Sequence, residues 1–185
     1  VVQRLSSWKE VHGHNCPGLL SLDLFSNLLT VVDLSGNTAL TGLEVSANSL
    51  TSVDTSGLGS LLTLKCSNNS ITALSVTNMP NLVLLYCEEN QLTTLDLSGN
   101  PKLVALNAYN MVMPTIDISG NPKLQFVDLR GNTMPAAVMD DILIKLDGFG
   151  LSNGGAFMFG NAAPTPAADV ARTNLLNRGW NLQLP

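Results

Sequence analysis

Charge is scarce in this sequence: only 12% of its 185 residues are Asp, Glu, Lys or Arg, and the net charge is −5. The nine Lys and Arg are scattered, whereas binding to phosphate backbones needs clustered basic side chains. A nucleic-acid partner is therefore not expected, and acidic or membrane-surface partners are disfavoured for the same reason. Although 45% of the residues are hydrophobic, no apolar run approaches the roughly 18 residues of a spanning helix, so membrane insertion is not expected either. Three cysteines cannot all pair, and no CxxC is present, which argues against a small disulfide scaffold. Gly-rich phosphate loops, HExxH and Walker sequences are missing as well, and with them several common signatures of enzymes. Aromatics make up 5%, so the places where they gather carry information.

What is abundant is leucine at a fixed interval. Leu40, Leu61, Leu82, Leu103 and Leu124 are 21 residues apart without insertion, and Leu19 extends the series backwards. From each leucine the unit reads LxxLxLxxNxLxxLDLSGNPx, with "LTTLDLSGNPKLVAL" (Leu92 to Leu106) running from one copy into the next. The LxxLxL half alternates at strand spacing, as does LDLS. A unit this short has room for two strands and two turns but no full helix. Each copy is then one coil of a solenoid of about six coils, expected to stack into two parallel sheets around a narrow apolar centre. Asparagine marks the turn after the first strand at Asn27, Asn48, Asn69, Asn90 and Asn132. A buried amide there can bond the backbone of its own and the neighbouring coil. Met111 takes this slot in the fifth coil, and a local distortion is expected between Ala108 and Met113.

These residues resemble the leucine-rich repeat family, and more narrowly the 21-residue, internalin J-like class of bacterial surface proteins, over about Leu19 to Met134. That class replaces a core leucine by cysteine to build a ladder, and Cys66 and Cys87 occupy the slot in adjacent coils, with Val45, Ala108 and Leu129 elsewhere. The resemblance implies a right-handed, mainly β solenoid, conventionally grouped as α/β, that works in recognition or adhesion outside a bacterial cell or on its surface, any signal peptide lying outside this chain. The two cysteines read as reduced, buried thiols that behave as small hydrophobes.

The repeat stops at Met134. Val138, Ile142 and Leu146, after Pro135, predict a helix ended by Asp147-Gly148. "GGAFMFGN" (Gly154 to Asn161) echoes LDLSGN and predicts a further strand. Thr165 and Pro166 open a second helix stopped by Gly179, and Trp180, Leu182 and Leu184 alternate as a last strand. The chain thus divides into 1–18, a degenerate first coil or N-terminal cap, 19–134, the repeats, and 135–185, a C-terminal cap of two helices and short strands, all within one structural domain.

Functional candidates follow from the outward positions. Asp33, Asp54, Asp96 and Asp117 share one column interrupted by Ser75, a solvated face for which Ca²⁺ binding is the minor alternative. On the other sheet, which such solenoids use as a concave binding face, the columns are Asp23, Glu44, Lys65, Tyr86, Asn107, Asp128, then Phe25, Ser46, Ser67, Glu88, Tyr109, Arg130, then Leu84, Ala105, Phe126. Tyr86, Tyr109, Phe126, Leu84 and Arg130 converge there, rimmed by Glu88, Glu89 and Asp128. Aromatics and Arg anchor interfaces, so Tyr86, Glu88, Tyr109, Phe126, Asp128 and Arg130 are the candidate ligand-binding residues. The expected partner is a protein or glycan from a host or neighbouring cell, met by a monomer that needs no cofactor and performs no catalysis. A structural spacer in a larger adhesin or a phage tail fibre is the alternative. "HGHNCPG" (His12 to Gly18) suggests a third reading, since His12 and His14 with Asp33 form a candidate Zn²⁺ or Ni²⁺ set for a metalloenzyme. Val11 to Leu19 also aligns without gaps on Leu95 to Leu103, which makes the segment a worn coil.

Overall fold

Leucine at the middle of each LxxLxL segment decides the sheet. In a strand, residues two apart share a face, so the middle leucine points inward and its neighbours outward. The computed structural model describes residues 9–12 and 16–185. The strands are β1 (Glu10–His12), β2 (Ser21–Asp23), β3 (Val31–Asp33), β4 (Gly42–Glu44), β5 (Thr63–Lys65), β6 (Leu84–Tyr86), β7 (Ala105–Asn107), β8 (Phe126–Asp128), β9 (Gly155–Phe157) and β10 (Asn181–Gln183). Eight of them form one parallel sheet in the order β10-β9-β8-β7-β6-β5-β4-β2. Its register puts Leu22, Leu43, Leu64, Leu85, Leu106 and Val127 in one line, each 21 residues after the last. From Leu43 onward these side chains are buried, as are Leu40, Leu61, Leu82, Leu103 and Leu124, and each such side chain contributes roughly 1.5–3 kcal/mol by leaving water. The expected parallel solenoid is observed.

The expected second sheet is not. Among the described residues only β1 and β3 pair on that side, with Val11 opposite Val32 and His12 opposite Asp33, and the other LDLS segments carry no strand. The apolar members still face inward, as at Leu95, Leu97, Ile116 and Ile118. Asp33, Asp54, Asp96 and Asp117 each accept from the amide two residues on, at 2.9 Å in every case. That is an Asx turn, but it does not decide the pairing: Asp33 makes it within the paired β3 and Asp128 at the end of β8, while the Ser75 segment has no aspartate and carries no strand.

The asparagine turn repeats faithfully. Ser26, Ala47, Asn68, Glu89, Asn110 and Gly131 all have φ between 50° and 63°, a left-handed conformation that leaves the next residue's side chain facing the coil interior. Asn69, for example, donates to Val45 O and Cys66 O at 3.1 Å, and accepts from Leu50 N at 3.0 Å. The distortion expected around Met111 does not occur. Asn110 has φ 51° like its counterparts, Met111 is buried, and Ala108 O accepts from Asn132 Nδ2 of the next coil at 2.9 Å. The left-handed residue before the ladder position sets the turn, so losing the amide removes bonds without moving the chain. A second ladder runs through the SGN turns, where Asn100 donates to Val76 O and Met79 O, and Asn121 to Leu97 O and Asn100 O.

Beyond Met134 the coils lengthen. Helix α1 (Ala136–Gly148) connects β8 to β9, and α2 (Asp169–Asn177), preceded by a short 3₁₀ turn at Pro166–Ala168, connects β9 to β10. Met139, Ile142, Leu143 and Leu146 of α1 continue the core. Thr165 caps the 3₁₀ turn by accepting from Ala167 N, and is itself held by the buried Asp140 of α1 at 2.6 Å. Arg178 ties the last coil down through Asp147 Oδ1 at 2.6 Å and Leu151 O at 3.0 Å, with Trp180 Nε1 on the same carbonyl. "GGAFMFGN" corrects the expectation drawn from LDLSGN. It extends the eight-stranded sheet, Gly155 pairing with Phe126 and Phe157 with Asp128, and Asn161 joins the first asparagine ladder by bonding Leu129 O and Met158 O.

Candidate functional site

The outward face of the eight-stranded sheet assembles three columns. Thr63, Leu84, Ala105, Phe126 and Gly155 are in register, as are Lys65, Tyr86, Asn107, Asp128 and Phe157. The third column runs through Ser67, Glu88, Tyr109, Arg130 and Phe159. It is fixed by bonds from the amide after each member to the carbonyl of the next, as in Glu89 N to Tyr109 O, Asn110 N to Arg130 O and Gly131 N to Phe159 O.

Arg130 is held on several sides by its neighbours on this face. Its Nε lies 2.8 and 2.9 Å from the two Asp128 carboxylate oxygens and its Nη2 lies 2.6 Å from Oδ2. Its guanidinium carbon sits 5.0 Å from the Tyr109 ring centroid and 5.2 Å from that of Phe159. A forked, stacked arginine of this kind is pre-organised, and the bond to Asp128 pushes its pKa further up. Asp128 is only 3% exposed, so its carboxylate acts through Arg130 and is not open to a ligand. Phe126 and Phe157 pack with centroids 5.3 Å apart at 42°. Even so, Phe126 and Phe159 leave 36% and 45% of their surface exposed. Lys65 lies 5.7 Å over the Tyr86 ring and 3.6 Å from Glu44 Oε2. Burial raises the pKa of the Tyr109 phenol, helped by Glu89 and Glu88, and burial likewise raises that of Glu88 against the bond it receives from Ser67. A groove of about 340 Å³ is bounded by Tyr109, Asn110, Arg130, Gly131, Phe159 and Gly160.

The candidate residues Tyr86, Glu88, Tyr109, Phe126, Asp128 and Arg130 thus share one face. Sequence reasoning missed Phe157 and Phe159, which raise its aromatics from three to five. The signal was present: "DLRGN" (Asp128 to Asn132) recurs as "FMFGN" (Phe157 to Asn161), at a longer interval because α1 intervenes. A larger cleft of about 650 Å³ opens on the opposite side, around Asp54, Ser75 and Asp96. Its polar groups are engaged in turns, with Thr55 Oγ1 on Ser75 O and Asn78 Nδ2 on Thr55 O. Of the candidate metal set, His14 lies outside the described residues, and the β1–β3 register sets His12 beside Asp33, whose Oδ1 accepts from Ser35 N. Cys66 and Cys87 are free and buried. Burial pushes the Cys66 thiol up to about 12 and that of Cys87 well above its ordinary value.

No family model and no curated protein matches the chain. Experimental structures do. The functional domain of InlJ from Listeria monocytogenes, described as including a cysteine ladder, is 30% identical, with a TM-score of 0.70 over 78% of this chain and 30% of that one. Internalin C2 of the same organism is 26% identical, with a TM-score of 0.73 over 89% of this chain and 71% of that one. The internalin InlF, also from Listeria monocytogenes, shares the fold at 20% identity, with a TM-score of 0.75 over 89% of this chain and 47% of that one. This chain therefore spans less than half the length of InlJ and InlF. With its parallel coils, its interval of 21 residues and its paired core cysteines, the chain is a leucine-rich-repeat protein of the internalin-like class.

Proposed function

We propose that this chain is a recognition module that binds a protein or glycan through the outward face of its long sheet, outside a bacterial cell or on its surface. One observation carries the reading. Both tyrosines and four of the five phenylalanines, Phe25, Phe126, Phe157 and Phe159, lie on the columns of that face, although aromatics make up only 5% of the residues. A chain that only needed a core would bury them, as it does Trp180. Rigid aromatics around a clamped arginine are what interface anchors are made of, and the faces of stacked coils are extended surfaces suited to large ligands. The likeness to internalins supports the same class of function. Residues 135–185 serve as the lid that keeps the last coil's core from water.

The test is Tyr86→Ala combined with Tyr109→Ala, assayed against partners captured from host-cell or extracellular-matrix extract. Loss of one anchor of this kind costs about 2 kcal/mol, roughly thirtyfold in affinity. The double variant should therefore lose binding while its thermal midpoint stays close to that of the parent. Equal affinity in parent and variant would place the site elsewhere.

A further inference from the structure

Four residues at the centre of the face form a square. Tyr86 and Asn107 are register partners on β6 and β7. Glu88 and Tyr109 stand two residues further along the same strands, on the same side of the sheet. Their spacing is roughly 5 Å across strands and 7 Å along them. Rings occupy one diagonal and oxygen-bearing side chains the other. Both Glu88 Oε2 and Asn107 Oδ1 are buried and accept no hydrogen bond from any described residue. A buried carboxylate oxygen without a donor is costly to maintain.

We propose that this square is a cation subsite, which takes the lysine ammonium or arginine guanidinium of a partner protein between Tyr86 and Tyr109 and onto Glu88 and Asn107. The proposal rests on the recognition reading above and narrows its partner to a protein with an exposed basic side chain. Two acceptor oxygens and two ring faces are the complement of such a group. The cations already on the face are committed, Lys65 to Glu44 and one face of the Tyr86 ring, Arg130 to Asp128 and one face of the Tyr109 ring, which leaves the other face of each ring for a ligand. The surroundings are acidic, since Glu89 and Asp128 both push the Glu88 pKa up, beyond the effect of burial. A bound cation would relieve that repulsion and, once the two half-buried side chains turn these oxygens outward, complete the hydrogen bonding of both.

The experiment uses tetralysine, tetra-arginine and tetra(Nε-acetyl-lysine) as probes of the whole chain, read by NMR at the Asn107 side-chain amide and the Tyr86 and Tyr109 rings. Tetralysine or tetra-arginine should shift these signals saturably, and the acetylated peptide should not. Glu88→Gln should weaken binding about tenfold, and Asn107→Asp should tighten it about threefold. Glu89→Gln removes the same charge from the exposed rim and should cost less than about threefold. The proposal is overturned if Glu89→Gln weakens binding as much as Glu88→Gln, or if the acetylated peptide produces the same shifts. It is also overturned if neither basic peptide saturates the Asn107 signal. Should Glu88→Gln fail to fold, Asn107→Asp and the acetylation comparison decide. A partner lost by the tyrosine double variant but bound equally by Glu88→Gln would leave the recognition surface standing and remove the cation subsite alone.

Discussion

Asn90→Ala deletes an amide that joins two adjacent coils. Its Nδ2 donates to Cys66 O at 2.9 Å and to Cys87 O at 3.0 Å, and its Oδ1 accepts from Ile71 N at 2.9 Å. The residue is 7% exposed, so water cannot readily replace these bonds. At about 1 kcal/mol net for each of three bonds, the loss is about 3 kcal/mol, and it rises toward 5 if the stranded backbone groups stay dry. That is a large share of the roughly 5–15 kcal/mol by which a domain is stable. Urea unfolding followed by circular dichroism should show a lower midpoint with an unchanged slope. The Ile71 amide should exchange faster relative to core amides of distant coils. The reciprocal change, Met111→Asn, gives up roughly 1.5–3 kcal/mol of buried side chain and gains up to three bonds of similar total worth, so it should be nearly neutral. A loss below about 1 kcal/mol for Asn90→Ala would refute the idea that the asparagine ladder holds the coils in register.

Three further outcomes are expected. Gly99 and Gly120 occupy the same position of the SGN turn, but a Cβ on Gly99 would run into the Thr77 carbonyl, whereas at Gly120 the nearest atom, Ser98 Cα, is 3.5 Å away. Gly99→Ala should cost about 1–3 kcal/mol in thermal unfolding, and Gly120→Ala much less. Lys145, 2.9 Å from Asp117 Oδ1, together with Ser119 holds the Asp117 carboxyl at about 2, below its ordinary 3.8. The depressed value means that the pair's stabilisation is present above pH 3.8 and is lost as pH falls through about 2; it is small because Asp117 is largely exposed. Lys145→Met should raise the Asp117 value in a carboxyl NMR titration, with Ser119 still keeping it below the ordinary one. Iodoacetamide at neutral pH should label the exposed Cys16 alone in the folded chain, and Cys66 and Cys87 only in urea; labelling of either buried thiol without denaturant would contradict the packed core.

The sheet was legible because Leu40 to Leu124 keep one interval, and that interval transfers directly into register. The LDLS segments looked like a second set of strands because hydrophobic alternation reports which side chains point inward, not whether neighbouring backbones pair. The aspartate to i+2 amide bond does not separate the two outcomes, since Asp33 in the paired β3 makes it just as Asp96 and Asp117 do. Met111 seemed disruptive because only the side chain at the ladder position was read, while the conformation is set by Asn110 before it. Two of the five aromatics of the patch were hidden for a different reason. Phe157 and Phe159 reach the face only because α1 lengthens the coil, and an insertion of that length breaks the interval that revealed everything else. Asp128, an apparent rim carboxylate by column position, is withdrawn by Arg130 two residues away, a pairing that period counting does not weigh.

The central claim is that the sheet face, and not the aspartate column behind it, meets the partner. Amide hydrogen exchange of the chain with and without a captured partner tests this directly. Protection should concentrate in 84–89, 105–110, 126–131 and 155–160, leaving Asp54, Asp96 and Asp117 and their turns unchanged. Protection confined to those aspartate turns, with the aromatic strands exchanging as in the free chain, would contradict the account.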